Sequence, residues 1–483
     1  MNFISAGYIF FLACAAVLCY ILKPKPRNIV LLALNYLFYA LFGFWAVLYL
    51  IAATLIMYTG ARLVEREVFG KRRLWLVMAL LLNLGMLFVF KYFNFFSGLL
   101  SEGLLLLGSS AEMPVLDLLL PVGISFYIFQ TTGYIMDVYR KKIPAEKDIV
   151  DFALFASFFP GIVSGPISRA GDMLPQYKKP SVFNGNNIKE GSLQFLWGAF
   201  KKMVIADQLA IMVNAAYANP ADFTGTQLLF AVLAYSVQIY CDFSAYSDMA
   251  IGSAKIMGFD LVQNFNCPYF ATSTQDFWRR WHISLSTWFR DYLYFPLGGN
   301  RCSKAKNYFN IVVVFLVSGL WHGAGLGFII WGLLHGLYQV IGKILAPMRD
   351  KIREGLHISN DNPILNLSRR IFVFLIVTFA WIFFRADSVE TAALVIGKIF
   401  SEPFSGGAFT MLGLSMKEIP VVLFFALALF AADWAQSRFK LSKKLNQAYI
   451  TRYAVYFVLI ASITIFGYYG VGFNPMDFVY FKF

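Results

Sequence analysis

The sequence predicts an all-α polytopic membrane protein, and three observations carry the prediction. Hydrophobic residues make up 59% of the 483 and charged residues only 14%, against about 25% charged in an average soluble domain. Apolar runs of about 18 residues or more recur along the whole length, each long enough to cross roughly 30 Å of hydrocarbon as a helix. With the chain threaded through those runs, all but five of the 41 Lys and Arg fall on one face of the membrane; the exceptions are Lys91, Arg385, Lys398, Lys417 and Lys482. A soluble chain has no way to cover this much apolar surface. Soluble enzymes, disordered chains and disulfide-stapled secreted scaffolds are excluded.

Met1–Leu22 is apolar without a basic leader and reads as a retained first span. Lys23, Lys25 and Arg27 put the next loop inside, so the N-terminus is outside. Asn28–Ala61 is uncharged and would measure roughly 50 Å as one helix, so it is read as two spans turning near Gly43. Arg62, Arg66, Lys71, Arg72 and Arg73 mark the inner face again. A fourth span runs from about Leu74 to Phe96 and a fifth from about Leu118 to Val138, with Glu102, Glu112 and Asp117 between them. Phe152–Ile167 contains Pro160, Gly161, Gly165 and Pro166, which predicts a re-entrant or broken helix.

Spans at about Met203–Ala218 and Gln227–Ala250 precede a long polar-aromatic stretch from Gln263 to Asn307. Tyr308–Gly325, Leu326–Leu345, Ile371–Phe384, Val421–Trp434 and Ala454–Gly472 complete about 11–12 crossings. The C-terminus is then outside. No internal repeat is visible, which weighs against an inverted-repeat transporter. One membrane domain, 1–483, is expected, with its chemistry in about 227–345 and an outer tail at 473–483.

The net charge of +14 is topological, because no basic stripe interleaved with stacking aromatics occurs in a polar domain; nucleic acid is set aside. The five cysteines (Cys14, Cys19, Cys241, Cys267, Cys302) show no C-x-x-C spacing and read as free thiols. No H-E-x-x-H, Cys/His ligand spacing, P-loop or G-x-G-x-x-G occurs, so neither a metal nor a nucleotide cofactor is expected.

Polar side chains inside a membrane protein cost on the order of 2.5–3.5 kcal/mol each to insert and are functional candidates for that reason. Here they concentrate in one region. Residues 238–248 read Q-I-Y-C-D-F-S-A-Y-S-D and place Asp242, Ser244 and Tyr246 in an apolar span. Residues 276–301 follow with Arg279, Arg280, His282, Trp288, Arg290 and Arg301, and 319–323 read G-L-W-H-G around Trp321 and His322. Small neighbours at Gly319, Gly323, Gly325 and Gly327 let a substrate or another backbone approach His322. An imidazole that is neutral at pH 7 can accept a proton, as a general base must; the bland alternative is a packing histidine. His282 is read as a second catalytic or thioester-positioning group, or else as an interfacial histidine beside snorkelling arginines. The arginines suit a polyphosphate-bearing donor, or simply anchor the inner face. His335 reads as structural and His357 as solvated.

The segments Q-I-Y-C-D-F-S-A-Y-S-D-M-A-I-G (238–252), F-W-R-R-W-H-I-S-L-S-T-W-F-R-D-Y-L-Y-F-P-L-G-G-N-R (277–301) and S-G-L-W-H-G (318–323) resemble the core of membrane-bound O-acyltransferases. They are most similar to the bacterial branch serving alginate acetylation, peptidoglycan acetylation and teichoic-acid D-alanylation. F-F-P-G-I-V-S-G-P-I (158–167), A-W-I-F-F-R-A (380–386) and F-V-Y-F-K-F (478–483) extend the resemblance over nearly the whole chain. It implies that fold around a central tunnel, with His322 the principal catalytic residue and His282 a second one. By analogy with the aromatic tail of the D-alanylation systems it also implies Tyr480 as an acyl carrier; the alternative is an interfacial anchor. Lys482 stands where relatives often carry an uncharged or acidic residue.

The expected function is transfer of an acetyl group from cytoplasmic acetyl-CoA, a substrate rather than a cofactor, across a bacterial inner membrane. The expected acceptor is an extracytoplasmic polysaccharide, reached through a separate acetyltransferase of the SGNH type. Asp242, Ser244, Tyr246, Trp288, Trp321, Arg279, Arg280, Arg290 and Arg301 are the expected substrate-binding residues. Direct transfer to a lipid or glycan is the rival within the family. A glycan or lipid transporter, or an export-complex subunit without acyl chemistry, is the rival outside it.

Overall fold

No water is available in hydrocarbon to satisfy a broken backbone, so a chain of this composition has to close its hydrogen bonds within helices. A computed structural model describes residues 2–109, 113–407, 412–439, 441, 449–469 and 478. Its regular elements among the described residues are all helical. They fall into two compact units, 1–195 with 247–262 and 196–246 with 263–483.

The first unit contains α1 (Ala6–Ile21), α2 (Pro24–Ala40), α3 (Phe44–Glu65), α4 (Arg72–Leu87), α5 (Phe93–Leu106), α6 (Ile124–Tyr139), α7 (Ile149–Ser157), α8 (Phe159–Ile162) and α9 (Ala170–Tyr177). Gly43, at φ +139°, makes the expected turn between α2 and α3. The expected break is also present: α7 stops at Ser157, α8 lasts four residues, and irregular chain follows. Helix α4 continues through a π-turn, Phe88–Tyr92, into α5, so one apolar run of 35 residues stands where a shorter span was expected. The span expected from Leu118 forms no helix until Ile124, because Pro121 and the left-handed Gly123 interrupt it. Side chains of α5 satisfy that irregular backbone: Asn94 bonds both the N–H and the C=O of Leu116, and the Ser97 hydroxyl donates to Pro114 O.

Arg27, counted as a loop charge from the sequence, is wholly buried. It donates to the carbonyls of Tyr177 and Lys179 and to Ser181 Oγ, while Asn28 beside it donates to Asp151 Oδ1 at 2.7 Å.

Two helices belong partly to each unit: α10 (Gly185–Phe200), which the sequence reading missed, and α12 (Gly225–Ile256). The second unit adds α11 (Asp207–Ala218), α13 (Thr274–Arg280), α14 (Ile283–Phe289), α15 (Lys304–His322), α16 (Leu326–Gly355), α17 (Pro363–Arg385), α18 (Val389–Ser401), α19 (Glu418–Phe439) and α20 (Tyr449–Phe466). Over the described residues, seven helical runs are long and apolar enough to cross a membrane on their own. They are Phe44–Glu65, Arg72–Leu106, Gly225–Ile256, Leu326–Gly355, Pro363–Arg385, Glu418–Phe439 and Tyr449–Phe466.

Two devices organise the second unit. Helices α15 and α16 form a hairpin so close that a Cβ on Gly319 would run into the Phe328 carbonyl, and one on Gly332 into the Phe315 carbonyl. The other device is a charge cluster at a π-turn, Lys201–Ala206, joining α10 to α11. Lys202 Nζ lies 2.8 Å from Asp207 and 2.7 Å from Asp242, and Lys201 Nζ donates to Ser244 Oγ at 2.7 Å, all of them buried. The sequence reading had assigned both lysines to an inner-face loop. Widened π-turns let consecutive side chains point where a regular helix would not send them.

Lys202→Met removes the cation that two buried carboxylates share and is expected to cost about 3–5 kcal/mol. The thermal midpoint of the detergent-purified protein measures this, with Asp207→Asn, which leaves Lys202 paired with Asp242, losing less. Gly319→Ala is expected to cost about 1–3 kcal/mol by forcing the hairpin open. An unchanged midpoint in either the Lys202 or the Gly319 variant contradicts the corresponding packing.

Candidate functional site

His322 is the last residue of α15, and the tight hairpin fixes where that end lies. The residue is 3% exposed, and its imidazole sits edge-on to Trp321 (4.8 Å between ring centroids), Trp331 of α16 (5.0 Å) and Phe384 of α17 (5.2 Å). The small residues around it, open to two readings from the sequence, admit protein: Gly319 receives the α16 backbone and Gly323 the Phe328 ring.

His282 caps α14 with its backbone in the left-handed region, φ +42° and ψ +54°, a conformation that costs a non-glycine residue about 1–3 kcal/mol and persists only where its surroundings enforce it. Two backbone bonds enforce it here, Ile283 N to Asn264 O at 2.9 Å and Asn266 N to Arg280 O at 2.9 Å. They hold the 264–266 loop against the turn. His282 Nδ1 lies 3.0 Å from Asn264 Oδ1, and the ring packs on Phe243 at 4.6 Å and on Trp321 at 5.9 Å. The indole of Trp321 thus touches both site histidines. Helices α13 and α14 are seven residues each, too short to cross a membrane. Burial pulls the His282 pKa down to about 3, so the imidazole is neutral at physiological pH.

The remaining expected residues divide into three groups. Tyr246 is buried and packs on Phe478 at 4.8 Å, and Phe243 lies 5.9 Å from the same ring; Trp288 is buried against Phe289 and Tyr292. Asp242 and Ser244 face the buried lysines described above. The four arginines lie nearer the surface: Arg279, Arg290 and Arg301 are exposed, Arg280 Nε donates to Asp276 and Arg290 Nε to Asp291, both at 2.9 Å. Tyr480 lies outside the described residues. His335 is buried with Nδ1 accepting from Trp278 Nε1 at 3.3 Å, and His357 is exposed.

Among the described residues no group of three His, Cys, Asp or Glu is arranged to hold a metal ion. Sequence reasoning missed Asn264, an amide in a turn-rich loop with nothing in its neighbours to mark it. It also missed the inward lysines, whose signal was Asp207 five residues after Lys202.

Residues 143–386 match the model of the membrane-bound O-acyltransferase family. The chain is 37% identical over 460 residues to the probable alginate O-acetylase AlgI of Pseudomonas syringae pv. tomato, covering 93% of this chain and 85% of that protein. It is 35% identical to the peptidoglycan O-acetyltransferase of Helicobacter pylori, covering 78% and 74% respectively. To the teichoic acid D-alanyltransferase of Bacillus subtilis it is 29% identical, over 45% of this chain and 57% of that protein.

Proposed function

Because the chain belongs to the membrane-bound O-acyltransferase family, we propose that it draws an acetyl group from cytoplasmic acetyl-CoA and delivers it, as an oxygen ester, to an extracytoplasmic polysaccharide. The observation that carries this reading is the pair of buried imidazoles, His282 and His322, sharing the Trp321 indole. In this reading the acceptor hydroxyl oxygen attacks the thioester carbonyl and gives its proton to His322. The C–S bond breaks, and the CoA thiolate leaves with a proton as the free thiol. A base placed in this way contributes about 10²–10⁴ in rate. Arg279, Arg280, Arg290 and Arg301 receive the CoA phosphates through paired guanidinium contacts.

The first acceptor in the proposed sequence is the Tyr480 phenol, which then passes the acetyl group to a separate extracytoplasmic acetyltransferase. Support for that step is local: Phe478, two residues before Tyr480, is buried against Tyr246 and Phe243, and Phe243 packs on His282. The membrane in this reading is a bacterial inner membrane, with both termini on the outer side.

Purified protein given acetyl-CoA labelled in the acetyl group tests the reading. CoA release is expected to fall about 10²–10⁴-fold in His322→Ala. Label bound covalently to the wild-type protein is expected to disappear in Tyr480→Phe. If wild type cleaves no thioester even with membranes and cell-wall glycan supplied, the acyl-transfer reading fails and a transport or scaffold role takes its place.

A further inference from the structure

Asn264 is 1% exposed, and one atom of its carboxamide lies at the centre of three short contacts. The backbone N–H of Ser284 donates to Oδ1 at 3.2 Å, the Ser284 hydroxyl lies 2.8 Å from it, and His282 Nδ1 lies 3.0 Å from it. A backbone N–H can only donate, so the atom it meets is the amide oxygen and not the nitrogen. An amide oxygen can only accept, so the nitrogen of His282 that faces it carries the hydrogen. In a neutral imidazole one nitrogen is protonated and the other is not. With the hydrogen on Nδ1, the lone pair is on Nε2.

His335 supplies an internal contrast. Its Nδ1 receives the Trp278 indole N–H, which has no lone pair to offer, so Nδ1 of His335 is the acceptor and its hydrogen sits on Nε2. His282 and His335 are therefore held in opposite tautomers, each by a partner able to play one role only.

We infer that Asn264 is the positioning residue of the site: it fixes His282 as an Nε2 acceptor, so the substrate group that His282 meets is a hydrogen-bond donor, an O–H or N–H. Neutral His282 is then unable to donate to a developing oxyanion, and stabilising that charge falls to other groups. When Nε2 accepts a hydrogen bond from such a group, the Nδ1–H to Oδ1 bond persists, so the ring keeps its orientation while the hydroxyl gives its proton to His322. The left-handed backbone at His282 serves the same end, since it turns the ring onto Asn264 while the chain enters α14. The consequence for turnover rests on the acyl-transfer reading above; the tautomer does not.

The experiment uses full-length protein in lipid, labelled with ¹⁵N only in histidine, of which the chain has four. Imidazole ¹⁵N shifts distinguish the two tautomers, and His282→Asn assigns the His282 signals. Wild type is expected to show Nδ1–H at His282 and Nε2–H at His335. Asn264→Asp keeps an oxygen at the same place and is expected to keep the tautomer and most of the CoA-release rate. Asn264→Leu, similar in size without an acceptor, is expected to lose the fixed tautomer and at least about tenfold in kcat, with a smaller change in KM.

An Nε2–H signal at His282 in wild type overturns the inference outright, as does an unchanged kcat in a folded Asn264→Leu. If Asn264→Leu does not fold, the wild-type tautomer and the Asn264→Asp rate decide alone, with a tautomer switch or a tenfold loss in Asn264→Asp counting against it. A wild type that shows Nδ1–H but cleaves no acetyl-CoA leaves the tautomer assignment standing and removes the reaction proposed for it.

Discussion

The close approach of α15 to α16 is the constraint on which the site depends. It is possible only because Gly319 and Gly332 present bare backbone to each other's helices, and small residues are what membrane helices use to bring their axes together. The approach puts Trp331 of α16 against His322 at the end of α15 and carries His335 into the cage formed by Trp278, Phe315 and Trp381. With Trp321 next in sequence to His322 and touching His282, one helical hairpin determines the surroundings of both site histidines. Widening it by the thickness of a methyl group would move Trp331 away from His322.

A second economy governs the charges. Lys202 lies between the Asp207 and Asp242 carboxylates and Lys201 beside it donates to Ser244, so each buried lysine at this π-turn meets a polar partner. Arg27 in the first unit is handled differently, by carbonyl and hydroxyl oxygens together with the neighbouring Asn28. Both arrangements follow from the cost of a bare ion in a medium that does not solvate it. Both also give polar residues of separate segments a fixed register, which apolar packing against lipid supplies poorly.

Much of this was legible in the sequence. Long uncharged runs gave Phe44–Glu65 and the later spans, and Pro160, Gly161, Gly165 and Pro166 announced the broken helix, because these features act through local geometry. His282 and His322 could be singled out as candidates for a related reason: an imidazole among apolar residues is conspicuous. Helix α10 was not, since its first turns (Gly185-Asn-Asn-Ile-Lys-Glu) carry polar residues that a hydropathy reading assigns to a loop. Lys201 and Lys202 were read as inner-face charges because a sequence does not reveal that a π-turn rotates them inward towards α12. Asn264 was illegible in principle: its role comes from a partner 18 residues away, brought to it by a strained turn. Periodicity and composition find elements; they do not find the second member of a hydrogen-bonded pair.

The aromatic wall around the histidines also has an optical consequence. Trp278, Trp281, Trp288, Trp321, Trp331 and Trp381 are six of the chain's ten tryptophans, and several stand within a ring's width of each other, with Trp281–Trp381 centroids at 5.1 Å and Trp331–Trp381 at 5.7 Å. Indoles this close exchange excitation, so light absorbed by any of them can be emitted by another. An imidazolium quenches a touching indole far more than a neutral imidazole does, and His322 touches both Trp321 and Trp331. The intrinsic ultraviolet emission of the protein is in this way weighted towards the candidate site, so a change of packing there is visible without any label.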